Sequence, residues 1–334
     1  MVVVEVVTVT NRLRDGYDVV VVGGGAAGLS GALTLARARR SVLVIDGGAP
    51  RNAPASGVHG LLARDGIRPA DLLERGRAEV RGYGGQVVPG EVDGARREDG
   101  GFVVRLADGR TVRARRLLAA TGLVDQLPDI PGVRERWGRD VLHCPYCHGR
   151  EVRDRAIGVL ASGPLAVHQA LLFRQWSPDV TLFAHATAPP AGEEAEQLAA
   201  RGVTVVAGEV ASLEVAEDRL VGVRLRDGTV VRREAVVVST RMVARSGFLA
   251  ALGLRPVEDP RGVGEYVPAD PTGRTEVPGV WVAGNVADLV AQVGAAAAGG
   301  AAAAAAINAD LVAEETRHAV AAHRDSTVPA RTRP

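Results

Sequence analysis

Cys144 and Cys147 are the only two cysteines in a chain of 334 residues, and they stand three positions apart in Cys144-Pro145-Tyr146-Cys147-His148. A pair so placed cannot be a stabilising disulfide framework, so its role is chemical. CxxCH admits three readings. As a c-type haem attachment site it requires export, yet residues 1–12 carry no basic segment followed by a long apolar core. As a zinc site, with Cys144, Cys147, His143 and His148 as ligands, it is cramped, and no second CxxC completes a tetrahedron. As a redox dithiol, one thiolate is stabilised by a helix N-terminus or a neighbouring base, and His148 is placed to move the proton. An imidazole suits removal of a thiol proton at neutral pH, which makes His148 the candidate general base; the bland alternative is an exposed helix-capping residue. His143 is given no role.

The redox reading gains weight from a second constellation, Gly23-x-Gly25-x-x-Gly28, which follows an apolar run and precedes a helical pattern, with Asp46 closing the next strand. Gly23 makes the tight turn, Gly25 admits a diphosphate, Gly28 packs helix on strand, and Asp46 takes a ribose hydroxyl pair. A dinucleotide cofactor is therefore expected.

These residues need elements to hold them. Hydrophobic patterning predicts a strand over 17–25, a helix over 26–39 and a strand over 41–46, which together open a parallel sheet. A charged amphipathic helix over 69–82 follows, then alternating strands over 86–92, 101–106 and 111–115, and an apolar strand over 117–121. After a Pro-rich turn at 127–132 the pattern restarts: strand 156–161, helix 166–175, strand 180–184, helix 193–201 and strand 203–207. Strands over 220–225, 230–233, 235–239 and 279–283 come next, then an Ala-rich helix over 286–311 and a polar tail after about residue 323. The fold class is α/β, with two Rossmann-like domains of three layers each, the first split by the second.

Composition narrows the partners. Forty basic against 39 acidic residues leave a net charge of +1, and aromatic residues make up only 3%, so nucleic acid and anionic membranes lose their electrostatic and stacking rationale. Asp288, Gln292, Gly299, Gly300 and Asn308 interrupt the Ala-rich stretch, which is expected to be a buried helix against a cofactor, not a membrane span. No signal peptide is seen and a cytoplasmic location is the default expectation.

Over almost the whole chain the order of motifs resembles the low-molecular-weight thioredoxin reductases: Gly23-x-Gly25-x-x-Gly28, then Ala120-Thr121-Gly122, the CxxC pair, a second Rossmann turn, and Gly279-Val-Trp-Val-Ala-Gly284 before a long helix. The resemblance implies FAD in a discontinuous domain of residues 1–125 and 245–334, an NAD(P)H-binding-like domain of residues 126–244 that carries CxxC, and a homodimer. It places Gly284 and Asn285 at the FAD ribitol and diphosphate, where the family usually has Gly-Asp. It places Gln292 and Val293 at the flavin pyrimidine, and Arg51, Asn52 and His59 on the isoalloxazine side.

Two departures refine it. The second turn reads Ala161-Ser-Gly163-Pro164-Leu165-Ala166, and the next strand ends Phe183-Ala184-His185 without the arginine pair that grips a 2′-phosphate; Pro164 also lacks an N–H for phosphate. Cys-Pro-Tyr-Cys-His-Gly is similar instead to the flavin-dependent dithiol oxidases of gliotoxin, holomycin and romidepsin biosynthesis. That likeness implies electron flow from a small-molecule dithiol through CxxC and FAD to O2, with H2O2 as product, Cys144 toward the substrate and Cys147 toward the flavin. Pro145 would lock the turn and Tyr146 line the entrance. The alternative is an NADPH-dependent thioredoxin or disulfide reductase whose second turn has drifted.

Overall fold

A computed structural model describes residues 13–327. The N-terminal part supplies β1 (Gly16–Val22), α1 (Ala26–Arg37), β2 (Val42–Asp46), α2 (Pro69–Gly82), β3 (Gln86–Pro89), β4 (Val92–Glu98), β5 (Gly101–Leu106), β6 (Thr111–Ala119) and β7 (Leu123–Gln126). The middle holds α3 (Val133–Arg136), β8 (Val141–Leu142), α4 (Pro145–His148), β9 (Ile157–Leu160), α5 (Ala166–Phe173), β10 (Val180–Phe183), α6 (Gly192–Ala200) and β11 (Thr204–Val206). It continues through β12 (Val210–Ala216), β13 (Arg219–Leu225), β14 (Val230–Val231) and β15 (Ala235–Val238). Then come β16 (Arg241–Ala244), β17 (Val257–Glu258), β18 (Gly264–Tyr266), β19 (Val280–Val282) and α7 (Val293–Thr327).

The first sheet runs β3-β2-β1-β6-β5-β4, and β19 also joins β6. Its β1 reads Asp-Val-Val-Val-Val because it is covered on both faces: Val19 and Val21 pack toward α1 and α7, Val20 and Val22 toward the opposite cluster. One strand, β6, spans what the pattern reads as two (111–115 and 117–121). Its first half pairs antiparallel with β5 and its second half parallel with β19, so the periodicity changes where the partner changes. A strand is also gained: β4, Val-Asp-Gly-Ala-Arg-Arg-Glu, pairs antiparallel with β5 but shows too much charge to be seen in sequence.

The second parallel sheet runs β11-β10-β9-β15-β8. Beside it β12, β13 and β14 form an antiparallel sheet, of which β12 escapes the sequence pattern. The two passages of chain between the parallel sheets, β7 and β16, pair antiparallel with each other.

The Ala-rich helix begins at Val293, not at 286, and runs past 323 to Thr327. Residues Gly284–Val286 instead make a short 3-10 turn. By length and composition α7 could cross a membrane, but Ala303, Ala304, Ile307 and Leu311 are buried with α1. The two helices meet at glycine. A Cβ at Gly300 would lie 1.9 Å from the Ala27 carbonyl oxygen, so only glycine allows the backbones to come so close.

Candidate active site

Three glycines shape the turn between β1 and α1. Gly23 has φ +111°, and a Cβ there would sit 2.3 Å from the Ala120 carbonyl oxygen. A Cβ at Gly28 would lie 1.9 Å from the Gly23 carbonyl oxygen, so Gly28 packs helix on turn and does not line the cavity. At Gly25 a Cβ would meet no protein atom within 4 Å; it would project into a cavity of about 1100 Å³. That is the space a diphosphate against the α1 N-terminus needs, where backbone N–H groups and the helix dipole favour negative charge. Asp46 lines the cavity one strand away, holding the Gly48 N–H at 2.9 Å and Arg77 at 2.7 Å. Ala120, Thr121, Gly122, Asn52, Gly284, Asn285, Gln292 and Val293 line the same cavity. The shape and chemistry fit a dinucleotide.

Asn285 lines the cavity and also holds the loop beside it. Its side-chain amide donates to the carbonyls of Asp288 at 2.9 Å, Ala291 at 3.0 Å and Leu289 at 3.4 Å. It shapes the loop before α7, which explains why the helix starts late.

The thiols line this same cavity. Cys144 is the N-cap of α4, its Sγ accepting the Cys147 N–H at 3.3 Å. Pro145 occupies the first helical position, where its missing N–H costs nothing. Gly149 lets the turn pass Trp176, whose ring a Cβ would approach to 2.8 Å.

The two sulfurs differ sharply. A hydrogen bond from the Cys147 thiol, helped by the backbone N–H groups of Cys147 and Tyr146 and by Arg51, outweighs burial and brings Cys144 from 9.0 down to about 7. Donating that bond, together with burial and the nearby Cys144 charge, pushes Cys147 up. In the dithiol state Cys144 is therefore the thiolate and Cys147 the thiol.

Arg51, whose charge acts on both cysteines, is gripped by Asp125 through two bonds of 2.7 and 2.8 Å. Burial would raise Asp125, but hydrogen bonds from Arg51 and Thr240 and the charges of Arg51 and His143 hold it low. Thr240 donates at 2.7 Å. Arg51 thus favours the Cys144 thiolate as well as lining the cavity, an effect that sequence reasoning missed.

Burial lowers His148, against a smaller opposing effect of Glu151, so it is neutral at pH 7 and able to accept a proton. His59 lies 3.6 Å from Glu151 and 3.5 Å from Asp65, beside His148. His143, to which sequence reasoning gives no role, also lines the cavity. It is neutral through burial, and its Nδ1 lies 3.2 Å from the Val238 carbonyl oxygen. A carbonyl only accepts, so Nδ1 carries the hydrogen and Nε2 keeps a lone pair. Its position directly before Cys144 was the one available signal.

The polar groups of the second turn bond one another. Ser162 Oγ donates to the Ser239 carbonyl at 2.9 Å and accepts the Ser239 N–H at 3.0 Å, while Ser239 Oγ donates to Gln169 at 2.9 Å. A Cβ at Gly163 would meet the Ser239 side chain at 2.9 Å. Leu165 packs against Leu123, Met242, Val263 and Leu289. His185, after β10, accepts the Val210 N–H on Nδ1 at 3.0 Å. Ala184 and His185, which follow β10, supply no guanidinium for a 2′-phosphate.

Among known proteins, residues 17–309 match the profile of the pyridine nucleotide-disulphide oxidoreductases. Thioredoxin reductase tcpT of Claviceps purpurea is 32% identical over 287 residues, covering 83% of this chain and 88% of that protein. Thioredoxin reductase sirT of Leptosphaeria maculans is 30% identical over 83% and 89% respectively. The crystal structure of HlmI superposes with a TM-score of 0.89 at 50% identity, covering 95% of this chain and 99% of that one. An oxidoreductase from Agrobacterium tumefaciens gives 0.83 at 35%, over 89% and 99%.

Proposed function

The chain belongs to the pyridine nucleotide-disulphide oxidoreductase family, and from that premise we propose that it is an FAD-dependent oxidase that closes a disulfide in a small-molecule dithiol, reducing O2 to H2O2. One observation carries the reading: the CxxC sulfurs share a cavity with the nucleotide cradle, while the polar groups of the second dinucleotide turn are spent on one another through Ser162, Ser239 and Gln169. That arrangement favours a dithiol over a pyridine nucleotide as the electron donor.

Gly23, Gly25, the α1 N-terminus, Asp46, Gly284 and the start of α7 would hold FAD, which would supply a two-electron acceptor able to pass its electrons to O2. The protein does the sulfur chemistry. With Cys144 and Cys147 joined, a substrate thiolate attacks Cys144 Sγ; the Cys144–Cys147 bond breaks and Cys147 leaves with the electron pair. The second substrate thiol gives its proton to neutral His148 and attacks the substrate sulfur of the mixed disulfide, expelling Cys144. The substrate is oxidised by two electrons and the enzyme pair reduced by two. Stabilising the Cys144 thiolate makes it a better leaving group and favours the reduced pair, so it drives oxidation of the substrate. The reading extends to a cytoplasmic homodimer, checked by light scattering and cell fractionation.

The test is anaerobic. Dithiothreitol should bleach the flavin band, NADPH should not, and peroxide should form when air is admitted. Rapid bleaching by NADPH overturns the proposal in favour of a disulfide reductase.

A further inference from the structure

The cavity continues beyond the sulfurs onto the segment that a second dinucleotide would have used. Leu165, His168, Gln169 and Leu172 all line it. Their spacing of three, four and seven puts them on one face of the first turns of α5. Tyr146 lines the same region from α4. Its ring meets Trp176, just past α5, edge-on at 5.9 Å, yet it is 62% exposed, an uncommon state for a large aromatic side chain at a cavity rim.

Two of the arginines that line the cavity are matched by carboxylates. Arg241 is paired with Glu258, and Arg261 binds Asp259 at 2.9 Å. Gln169 is buried and engaged by Ser239. Among the described residues of α5 that line the cavity, His168 is the one titratable group, and it is exposed.

We propose that this face of α5, with Tyr146, is the wall that receives the body of an uncharged dithiol while its sulfurs reach Cys144. The proposal rests on the oxidase reading and adds where the substrate lies and what charge it carries. In this protein the remnant of a nucleotide-binding turn has become a substrate-selecting surface. Pro164 and Leu165 remove phosphate-binding capacity and add apolar area in the same two positions.

Dihydrolipoamide and dihydrolipoate test it, since they share a dithiol and an apolar chain and differ by one carboxylate. The readout is the ratio of their kcat/KM values for anaerobic flavin reduction by the full-length flavoprotein. The unmodified protein should favour the amide. His168→Arg, at an exposed position that should not disturb folding, should shift the ratio toward the carboxylate by about fivefold, the upper end for one solvent-screened ion pair. Leu172→Arg should shift it in the same direction. Glu196→Arg, on α6 and outside the cavity, makes an equal or larger change in net charge and should leave the ratio unmoved. If both dithiols reduce the flavin but neither α5 variant moves the ratio, the wall is wrong and the oxidase stands. A shift in Glu196→Arg equal to that in His168→Arg also overturns the wall, because the effect would then be long-range charge. If no dithiol reduces the flavin of the unmodified protein, the oxidase reading itself has failed.

Discussion

Reduced enzyme exposed to iodoacetamide across pH 5.5–9.5 should be alkylated first, and chiefly, at Cys144. With the Cys144 thiol near 7, about half is thiolate at pH 7, against roughly 1% for a thiol at 9.0. A thiolate loses nucleophilicity as its pKa falls, by roughly six- to tenfold over two units. The two effects leave Cys144 about five- to eightfold faster than an ordinary cysteine at pH 7. Its rate should level off above pH 7 instead of climbing to pH 9. Cys147 should lag throughout, because it donates to Cys144 and would ionise beside a negative sulfur. The largest cause of the shift is that thiol hydrogen bond, so Cys147→Ala should move the Cys144 midpoint upward, whereas Cys147→Ser, which retains a donor, should move it less. Site-resolved mass spectrometry reads both cysteines at once. Preferential labelling of Cys147, or a Cys144 midpoint near 9 in the unmodified protein, would refute the assignment of thiolate and thiol.

Four further outcomes are expected. His148→Gln should slow flavin reduction by dithiols by about 10²-fold or more. In the unmodified protein that rate should rise toward alkaline pH as the attacking substrate thiol ionises, and the separate loss due to His148 should appear only below the ordinary imidazole value of 6.5, since burial lowers His148 and the base must be neutral; stopped-flow pH profiles decide it. His143→Gln should have a smaller effect if His143 only flanks the motif, and an equal effect would make it a second base. Arg51→Met should cost about 3 kcal/mol in urea unfolding, because it strands the buried Asp125 carboxylate. Asp125 is held below its ordinary 3.8, so its contribution is complete above the unfolded value and is lost as pH falls through the lowered one; the variant should lose less stability than the parent on acidification to pH 3. Gly300→Ala should lower the melting temperature, with or without cofactor, as it forces α1 and α7 apart.

Much of the fold was legible because its central strands are buried on both faces. Runs such as Asp18–Val22 and Ala235–Val238 announce parallel strands without tertiary information. The pairing of β7 with β16 and the charged β4 were not legible, since edge and connecting strands owe their form to a partner and not to their own pattern. The glycine turn, Asp46 and CxxC could be read because each is local. The Arg51–Asp125–Thr240 group joins residues 74 and 115 positions apart in sequence, and no spacing rule reaches that far. The late start of α7 is similar: Asn285 draws three carbonyls out of helical register, an arrangement that propensity does not encode.

Asn285 also bears on redesign. Aspartate at this position would replace a double donor by a carboxylate facing the oxygens of Asp288, Leu289 and Ala291. The loop ahead of α7 would then have to be rebuilt to relieve the clash of acceptors. Asn285→Asp alone should therefore give a poorer protein than the same change made together with a redesigned segment 286–292, so this loop and this side chain can be altered only as a unit.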